Sequence, residues 1–290
     1  MLDFTVADLT DTVIAACQEN ASSPRVKQIM GSLVRHLHEF AKEVELTESE
    51  WFAAIEFLTE TGKLCDDKRQ EFILLSDTLG LSMLVDAINH PRTGLGTENT
   101  VLGPFHVPGA PRLPMGSSIM KQDLGGERTL VRGKVTDAQG EPIDGATLDV
   151  WQTSANRLYD VQDPDAPDWN LRGRFTTAAD GRYWFTSEKP TAYPIPIDGP
   201  VGVMLKACGR HNIRPGHLHF IVTADGYDQL TTHIFTEGDE YLESDVVFAT
   251  KSSLIGQYRS CDDSELAAEA GLDVPFLLVE YDFGLMPAGR

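Results

Sequence analysis

The segment from Tyr193 to Phe220, YPIPIDGPVGVMLKACGRHNIRPGHLHF, ends with two histidines two positions apart. The apolar run that continues from the second histidine predicts a β-strand. Side chains two positions apart on a strand leave the same face, so His217 and His219 would point into one pocket. An isolated H-x-H pair lies more often on a surface or in a core than at a metal. The metal interpretation therefore depends on the residues that accompany the pair.

Three further side chains accompany these histidines in a pattern that is specific although each part of it is weak. Arg214 precedes the pair by three residues, Tyr193 opens the segment, and Tyr159 lies in the stretch WQTSANRLYDVQD that begins at Trp151. In these residues the chain resembles the intradiol ring-cleaving dioxygenases, and the resemblance extends over nearly the whole chain. It implies one non-haem Fe(III) ion per chain, held by two tyrosines and two histidines: Tyr159, Tyr193, His217 and His219.

This ligand set is chemically suited to ferric iron. A hard trivalent ion favours anionic oxygen ligands, and imidazole is a common ligand of iron. Because a free tyrosine has a pKa of about 10, binding as phenolate at neutral pH requires the charge of the ion to remove the proton. Zinc would require a third histidine, cysteine or carboxylate nearby. A zinc hydrolase that uses His217 and His219 is therefore the weaker alternative.

The resemblance also implies roles for the residues around the ion. Tyr193 would leave the metal when a catechol-type substrate binds, and it would accept a substrate proton. Arg214 would stabilise the negative charge that develops on the aromatic ring. With His233, these two residues form the predicted catalytic group. The reaction with O2 would open the ring between its two hydroxyl-bearing carbons.

Two positions bear on which diol is cleaved. Family members that act on catechol usually have Gln where this chain has His233, whereas those that act on hydroxyquinol resemble the His form. Asp77 matches a pocket position near the third hydroxyl of hydroxyquinol, where a carboxylate could accept a hydrogen bond; it could equally be an interruption of an amphipathic helix. The predicted reaction is therefore cleavage of hydroxyquinol to maleylacetate (3-hydroxy-cis,cis-muconate), with catechol or chlorocatechol as the alternative substrate. The other residues predicted to bind substrate, beside Arg214, are Leu74, Val101, Leu102, Gly103, Pro104, Phe105, Ile195, Pro196 and Val247.

Composition limits the kind of protein and its partners. The chain has 290 residues, a formal charge of −20 and no apolar run near the roughly 20 residues that span a bilayer. The negative charge argues against binding to nucleic acid or to anionic membranes. The N-terminus lacks a signal peptide, and the four cysteines lack C-x-x-C spacing, which predicts a cytoplasmic protein with reduced, mostly buried thiols. Cys208 is predicted to be a small core residue.

The periodicity of apolar residues changes near residue 99 and predicts two domains. Residues from about 4 to 92 show helical periodicity, including the segments Val26–Val44 and Phe72–Ile88. After about residue 99, short alternating runs separated by turns predict an antiparallel β-sandwich. The chain would thus be mainly β with an α-helical N-terminal part, divided into a helical dimerisation and linker domain (1–98) and a catalytic β-sandwich domain (99–290). Within the sandwich, Ala179-Asp180-Gly181 indicates a hairpin turn.

The helical segment has more apolar surface than a small bundle requires for itself. It would pack on the following domain or on a second copy of the chain. The resemblance implies a homodimer formed through these helices, with a phospholipid as a possible occupant of their interface. A protein of another class remains as an alternative: a metal-free β-sandwich binding module with a helical oligomerisation arm.

Overall fold

The computed structural model describes residues 5–66, 69–91 and 94–289, and the chain divides into two compact units, 1–60 and 61–290. Both ends of the predicted helical region, Phe4 and Arg92, lie outside the described residues. Within that region the structure has five helices among the described residues: α1 (Leu9–Glu19), α2 (Pro24–Glu43), α3 (Glu48–Lys63), α4 (Glu71–Thr78) and α5 (Leu81–Asn89). The two compact units meet at residue 60 and do not test the predicted domain division between residues 98 and 99. That division stays a prediction.

Local sequence signals fix where the helices start. At the start of α2, the Ser23 hydroxyl accepts a hydrogen bond from the Val26 amide at 3.2 Å, and Pro24 occupies the first helical turn. At the start of α3, Thr47 and Glu50 form a reciprocal capping box. The Thr47 amide donates to Glu50 Oε2 at 2.9 Å, and the Glu50 amide donates to Thr47 Oγ1 at 3.3 Å.

The predicted single helix Phe72–Ile88 is wrong, because the structure breaks it into α4 and α5. Gly80 has a φ of 73° in the left-handed region, which favours glycine and cannot continue a right-handed helix. The Gly80 amide still donates to the carbonyl of Asp77 at 3.0 Å, so α4 ends in a tight turn and α5 starts in a new direction.

Two five-stranded sheets form the rest of the larger unit. The first contains β1 (Arg128–Asp137), β4 (Arg182–Glu188), β10 (Arg259–Cys261), β11 (Phe276–Glu280) and β12 (Phe283–Leu285). The second has the order β3-β2-β7-β8-β9, with β2 (Thr147–Trp151), β3 (Arg172–Thr176), β7 (His217–Thr223), β8 (Leu230–Thr236) and β9 (Ile255–Gly256). A two-stranded sheet, β5 (Tyr193–Pro194) and β6 (Ile213–Arg214), the helices α6 (Pro200–Ala207) and α7 (Ser264–Ala270), and a 3-10 helix (Ser252–Leu254) complete the described elements.

Most strand pairs are antiparallel, as the sequence predicts, but three are parallel. Strand β1 pairs in parallel with both β11 and β12, and β8 pairs in parallel with β9. Parallel pairing requires long connections, and alternation of apolar residues carries no information about strand direction. The architecture is therefore a two-sheet sandwich of mixed strand direction.

The sandwich core lies between the two sheets, and β7 separates it from the functional face. Leu218, Phe220 and Val222 are fully buried in the cluster that also contains Val131 and Phe185 of the first sheet. The alternate residues of β7, including His217 and His219, leave the opposite face of the second sheet. One strand thus supplies both the core and the candidate site.

Two other predictions are wrong. The Asp180-Gly181 turn does not close a hairpin: β3 pairs with β2 and β4 pairs with β1, so this turn carries the chain from one sheet to the other. The turn chemistry is present, with Gly181 at a φ of 74°, but it does not identify the strands' partners. Cys208 is exposed rather than a core residue, and Cys17, Cys65 and Cys261 are only partly buried. Within the part of the chain that is described, helices long and apolar enough to cross a bilayer are absent.

We predict that Phe220→Ala lowers the free energy of unfolding by about 3–5 kcal/mol, because it opens a cavity between the sheets. Val203→Ala is the control: Val203 is 68% exposed, and its truncation should change stability by less than about 0.5 kcal/mol. Urea denaturation of both variants measures the difference. Equal stability of the two variants would mean that Phe220 does not pack in the sandwich core.

Candidate metal centre

Four donor atoms from distant parts of the chain meet on the outer face of the second sheet. The Tyr159 hydroxyl lies 2.7 Å from His219 Nε2 and 3.2 Å from the Tyr193 hydroxyl. His219 Nε2 lies 3.0 Å from His217 Nε2. Separations near 3 Å are those of neighbouring ligands that each lie roughly 2 Å from one ion. The structure therefore brings together all four residues predicted to bind the metal.

Strand pairing and ring stacking hold the two tyrosines in place. Tyr193 belongs to β5 and pairs directly with Arg214 of β6. Tyr159 follows β2 in a loop, where Phe105 stacks on its ring at 4.5 Å and the Gln162 side chain accepts a hydrogen bond from its amide. Both tyrosines are buried, at 1% and 4% exposure. Each hydroxyl is thus fixed in a pocket shielded from water.

Hydrogen bonds at the back of the imidazoles determine which nitrogens face the site. His217 Nδ1 lies 2.7 Å from the carbonyl oxygen of Pro215, which can only accept, so this nitrogen carries the proton. A neutral imidazole carries a single N–H proton, so His217 Nε2 is unprotonated. Its lone pair faces the other candidate metal ligands. A hydrogen-bond partner on the far nitrogen is the usual arrangement for a metal-binding histidine.

His219 is held by a second, longer chain of contacts. Its Nδ1 lies 2.8 Å from His233 Nε2, and His233 Nδ1 lies 3.0 Å from the hydroxyl of Thr100. The indole of Trp151 stacks on the His219 ring at 4.5 Å, almost parallel. These contacts place His233 behind His219, on the side away from the tyrosines. Although the three histidines lie close enough to form a metal-binding group, we describe His233 as a support for His219.

Burial shapes the electrostatics of the donors. Burial, followed by the neighbouring Tyr193, raises the pKa of Tyr159 well above its usual value. Burial, followed by the positive charge of Arg214, lowers the pKa of His217, and burial followed by the other histidines lowers that of His219. Burial disfavours the charged forms of Tyr159, His217 and His219, and the Tyr159 hydroxyl can share its proton with Tyr193 or His219. A positive ion would favour the phenolates and accept the lone pairs of the imidazoles. The residues present fit a metal ion.

Arg214 lies beside the four candidate metal ligands and is itself buried, at 3% exposure. Its Nη1 lies 3.2 Å from His217 Nε2 and donates to the Tyr193 hydroxyl at 3.5 Å. Its Nε and Nη2 donate to the two carboxylate oxygens of Asp245 at 3.2 and 3.3 Å. Burial, the largest single influence, would lower the pKa of Arg214, but the charge and hydrogen bonds of Asp245 together with the two tyrosines outweigh it, so the pKa is raised and the guanidinium stays charged.

The residues predicted to bind substrate fall into three groups. Gly103 and Phe105 border the donors: a Cβ on Gly103 would lie 3.3 Å from His219 Cε1, and Phe105 stacks on Tyr159. Four apolar residues share one cluster with α5 and α6: Leu74, Val101, Ile195 and Val247. The last three are exposed neighbours of these residues along the chain: Leu102, Pro104 and Pro196.

Asp77 lies on α4 with 6% of its surface exposed. Burial raises the pKa of its carboxyl, whereas a hydrogen bond from Ser82 and the charge of Arg214 oppose the rise. Asp77 is therefore a buried carboxyl rather than part of a solvated helix face.

Sequence reasoning did not identify Thr100, Trp151 and Asp245 as parts of the site. Asp245 is separated from Arg214 by 31 positions, and its motif DVVFA has no distinctive chemistry. For Trp151 the sequence contains a signal, because this residue directly precedes the Tyr159 loop. In the structure it pairs with His219 across β2 and β7. A surface cleft of about 840 Å³ beside β1 and β4 shares none of the donors.

The fold and the donor set define a class of protein. Residues 101–287 match the family model described as Dioxygenase, and residues 23–95 match the one described as Catechol dioxygenase N terminus. The chain belongs to the intradiol dioxygenase family.

Individual relatives are similar to this chain over most of its length. The hydroxyquinol 1,2-dioxygenase of Rhizobium sp. (strain MTP-10005) is 51% identical over 95% of this chain and 93% of its own length. The 6-chlorohydroxyquinol 1,2-dioxygenase of Cupriavidus pinatubonensis is 50% identical over 89% of this chain and 93% of its own length. The crystal structure of hydroxyquinol 1,2-dioxygenase from Pseudomonas putida DLL-E4 superimposes with a TM-score of 0.90 at 50% identity, covering 97% of this chain and 98% of that one.

We predict that Thr100→Val lowers metal affinity by roughly 10- to 100-fold, because His219 loses the orientation that reaches it through His233. Thr100→Ser keeps the hydroxyl and should bind metal as the unaltered chain does. Competition with a chelator measures the affinity, and thermal unfolding of the metal-free variants checks that both fold. Unchanged affinity in Thr100→Val would show that this chain of contacts does not orient His219.

Proposed function

We propose that the chain cleaves hydroxyquinol with O2 to maleylacetate (3-hydroxy-cis,cis-muconate), as an Fe(III) enzyme of aromatic catabolism. The observation that carries the proposal is the convergence of two phenols and two imidazoles, each separated from the next by 2.7–3.2 Å, in a buried pocket. Relatives at about half identity, named for hydroxyquinol or its chloro derivative, support the choice of substrate.

A bound ferric ion would supply a Lewis acid that both adjacent hydroxyls of the substrate can chelate and that draws electron density from the ring. Tyr159, Tyr193, His217 and His219 would hold it. The chain's own contribution is binding, orientation and the exclusion of water. The four donors are at most 4% exposed, so charges that develop in the pocket interact in a medium of low dielectric constant.

Tyr193 and Arg214 have the positions required for their proposed roles. The Tyr193 hydroxyl accepts a hydrogen bond from Arg214 Nη1, and a nearby positive charge stabilises a phenolate. The proposed role of Tyr193 as proton acceptor requires this phenolate form, whose oxygen would take a proton from a substrate hydroxyl. Arg214, which remains charged, would stabilise negative charge on the ring without competing for the metal. His233 contributes by orienting His219.

Asp77 is the residue we propose to select hydroxyquinol. Its buried carboxyl could accept a hydrogen bond from the third hydroxyl of the substrate. A buried polar group left without a partner is costly, so such a site discriminates strongly against a diol that lacks this hydroxyl. Cleavage of catechol or chlorocatechol by the same residues remains the second candidate, favoured by the chlorinated substrate in the name of one relative.

The two alternatives from other classes have less support. A metal-free binding module does not account for the close approach of four potential metal ligands, two of which are imidazole Nε2 atoms only 3.0 Å apart. A zinc hydrolase would need a third ligand, and the nearest candidate, His233, has its Nε2 engaged with His219.

We also propose a homodimer formed through the N-terminal helices. Large apolar side chains of α2 and α3 are 43–56% exposed, which is unusual for a surface that stays in water: Ile29, Leu33, Leu37, Phe40, Trp51, Phe52, Ile55 and Leu58. A phospholipid in this interface and a cytoplasmic location stay predictions.

The substrate proposal is tested by Asp77→Leu. We expect kcat/KM for hydroxyquinol to fall by roughly 10- to 100-fold, because a hydrogen bond to a charged group is lost, whereas kcat/KM for catechol should not fall. The matched control is Asp86→Asn on α5, whose carboxylate pairs with His90; it should leave the ratio unchanged. An unaltered chain that cleaves catechol as well as hydroxyquinol would contradict the role of Asp77.

The metal proposal is tested by Tyr159→Phe. Ferric tyrosinate absorbs visible light, so this variant should retain less iron and show an altered visible band. Tyr183→Phe is the control: Tyr183 is equally buried, but its hydroxyl donates to the carbonyl of Tyr281 in the core at 2.7 Å. Colour and turnover that survive Tyr159→Phe unaltered would remove Tyr159 from the ligand set.

A further inference from the structure

Arg214 reaches the metal centre with only one end of its guanidinium. Its Nε and Nη2 form one edge of the fork, and both donate to Asp245, at 3.2 and 3.3 Å. Only Nη1 is directed at Tyr193 and His217. A guanidinium has a rigid planar fork, so fixing one edge fixes the direction of the remaining nitrogen. Whatever holds Asp245 in place therefore determines where Arg214 points.

Asp245 is held by its own loop. Its Oδ1 accepts a hydrogen bond from the amide of Val247 at 3.3 Å, and its Oδ2 accepts one from the amide of Ala249 at 3.1 Å. The amide of Phe248 donates to the Asp245 carbonyl at 2.9 Å, which closes a turn. Both oxygens of a carboxylate that is only 1% exposed are thus used twice, by Arg214 and by backbone.

The loop retains an unfavourable backbone conformation. Phe248 has a φ of 59°, which is uncommon for an aromatic residue and costs free energy. Arg210 stabilises this turn: its guanidinium donates to the Val246 carbonyl at 2.7 Å and lies 4.7 Å above the Phe248 ring. Such a conformation persists where the surroundings hold it, and here it delivers the Ala249 amide to Asp245.

The pair with Asp245 also affects the charge beside the metal centre. If the Nε and Nη2 edge were free, Arg214 would no longer be held with Nη1 directed at Tyr193. The carboxylate of Asp245 also neutralises a positive charge that would otherwise oppose binding of a cation beside it.

We propose that Asp245 is a positioning residue that fixes Arg214, so that Nη1 points at the Tyr193 hydroxyl. Asp245 does not touch the donors itself and acts through Arg214. The inference rests on the proposed function, because Arg214 is assigned to the ring-cleavage reaction there.

The test is a double-mutant cycle between Asp245→Asn and Arg214→Met, read as kcat and KM per bound iron with hydroxyquinol. In the Arg214 background, Asp245→Asn should lower kcat at least 10-fold. In the Arg214→Met background, the same substitution should change kcat less than about 2-fold, because nothing is left to position. An equal loss in both backgrounds, or full activity of Asp245→Asn, would overturn the proposal.

Two further variants keep the test decisive. Either single substitution leaves an unpaired buried charge and could prevent folding, whereas Asp245→Glu retains the charge and displaces it by one methylene. We expect Asp245→Glu to fold, to bind iron as the unaltered chain does and to lose at least 5-fold in kcat; full activity per iron would overturn the proposal. Glu280→Gln, which breaks the exposed pair of Arg132 and Glu280 on the first sheet, is the control and should leave kcat unchanged.

The visible band separates this proposal from the proposed function. Because Arg214 donates to the Tyr193 hydroxyl, Asp245→Asn should shift the tyrosinate band of the iron-loaded protein in the Arg214 background and leave it in place in the Arg214→Met background. This readout needs no turnover. If the unaltered chain cleaves no diol, the proposed function fails while the band still tests the role of Asp245. Identical bands in Asp245→Asn and the unaltered chain would overturn that role.

Discussion

The structure depends on one constraint: two imidazole nitrogens and two phenol oxygens are held about 3 Å apart in a buried pocket. A phenol proton can be shared with a neighbouring oxygen or nitrogen, but burial disfavours the charged phenolate that a metal would require. The fold must therefore supply the free energy that holds these four groups in position for a metal. An ion that binds them would return part of that free energy.

That free energy comes from the packing of the second sheet, whose two faces have different roles. One face of β7 packs into the sandwich core, and the other carries His217 and His219. Each candidate ligand has its own support: a backbone carbonyl for His217, His233 for His219, a stacked ring for Tyr159, and strand pairing with Arg214 for Tyr193. Because the supports come from separate segments, the ligands are fixed by the tertiary fold rather than by local sequence.

The sequence predicts features that are local and fails where the partner is remote. The alternation in β7 and the capping box at Thr47 were predictable, because each depends on residues a few positions apart. The turn at Gly181 was recognisable, yet its flanking strands pair in different sheets, which only the tertiary structure decides. Asp245 could not be found for the same reason: an ordinary aspartate becomes part of a site only when a fold places Arg214 against it. The four candidate ligands were predicted through family resemblance rather than through spacing.

The alternation of β7 has a consequence for folding errors. If the strand paired with β2 and β8 one residue out of register, His217 and His219 would enter the apolar layer and Leu218 and Phe220 would face the metal pocket. Two imidazoles would then be buried without partners, and the core would lose its largest contacts, so the misaligned chain is penalised on both faces at once. The two histidines of the candidate metal centre thereby also make the shifted strand register energetically unfavourable.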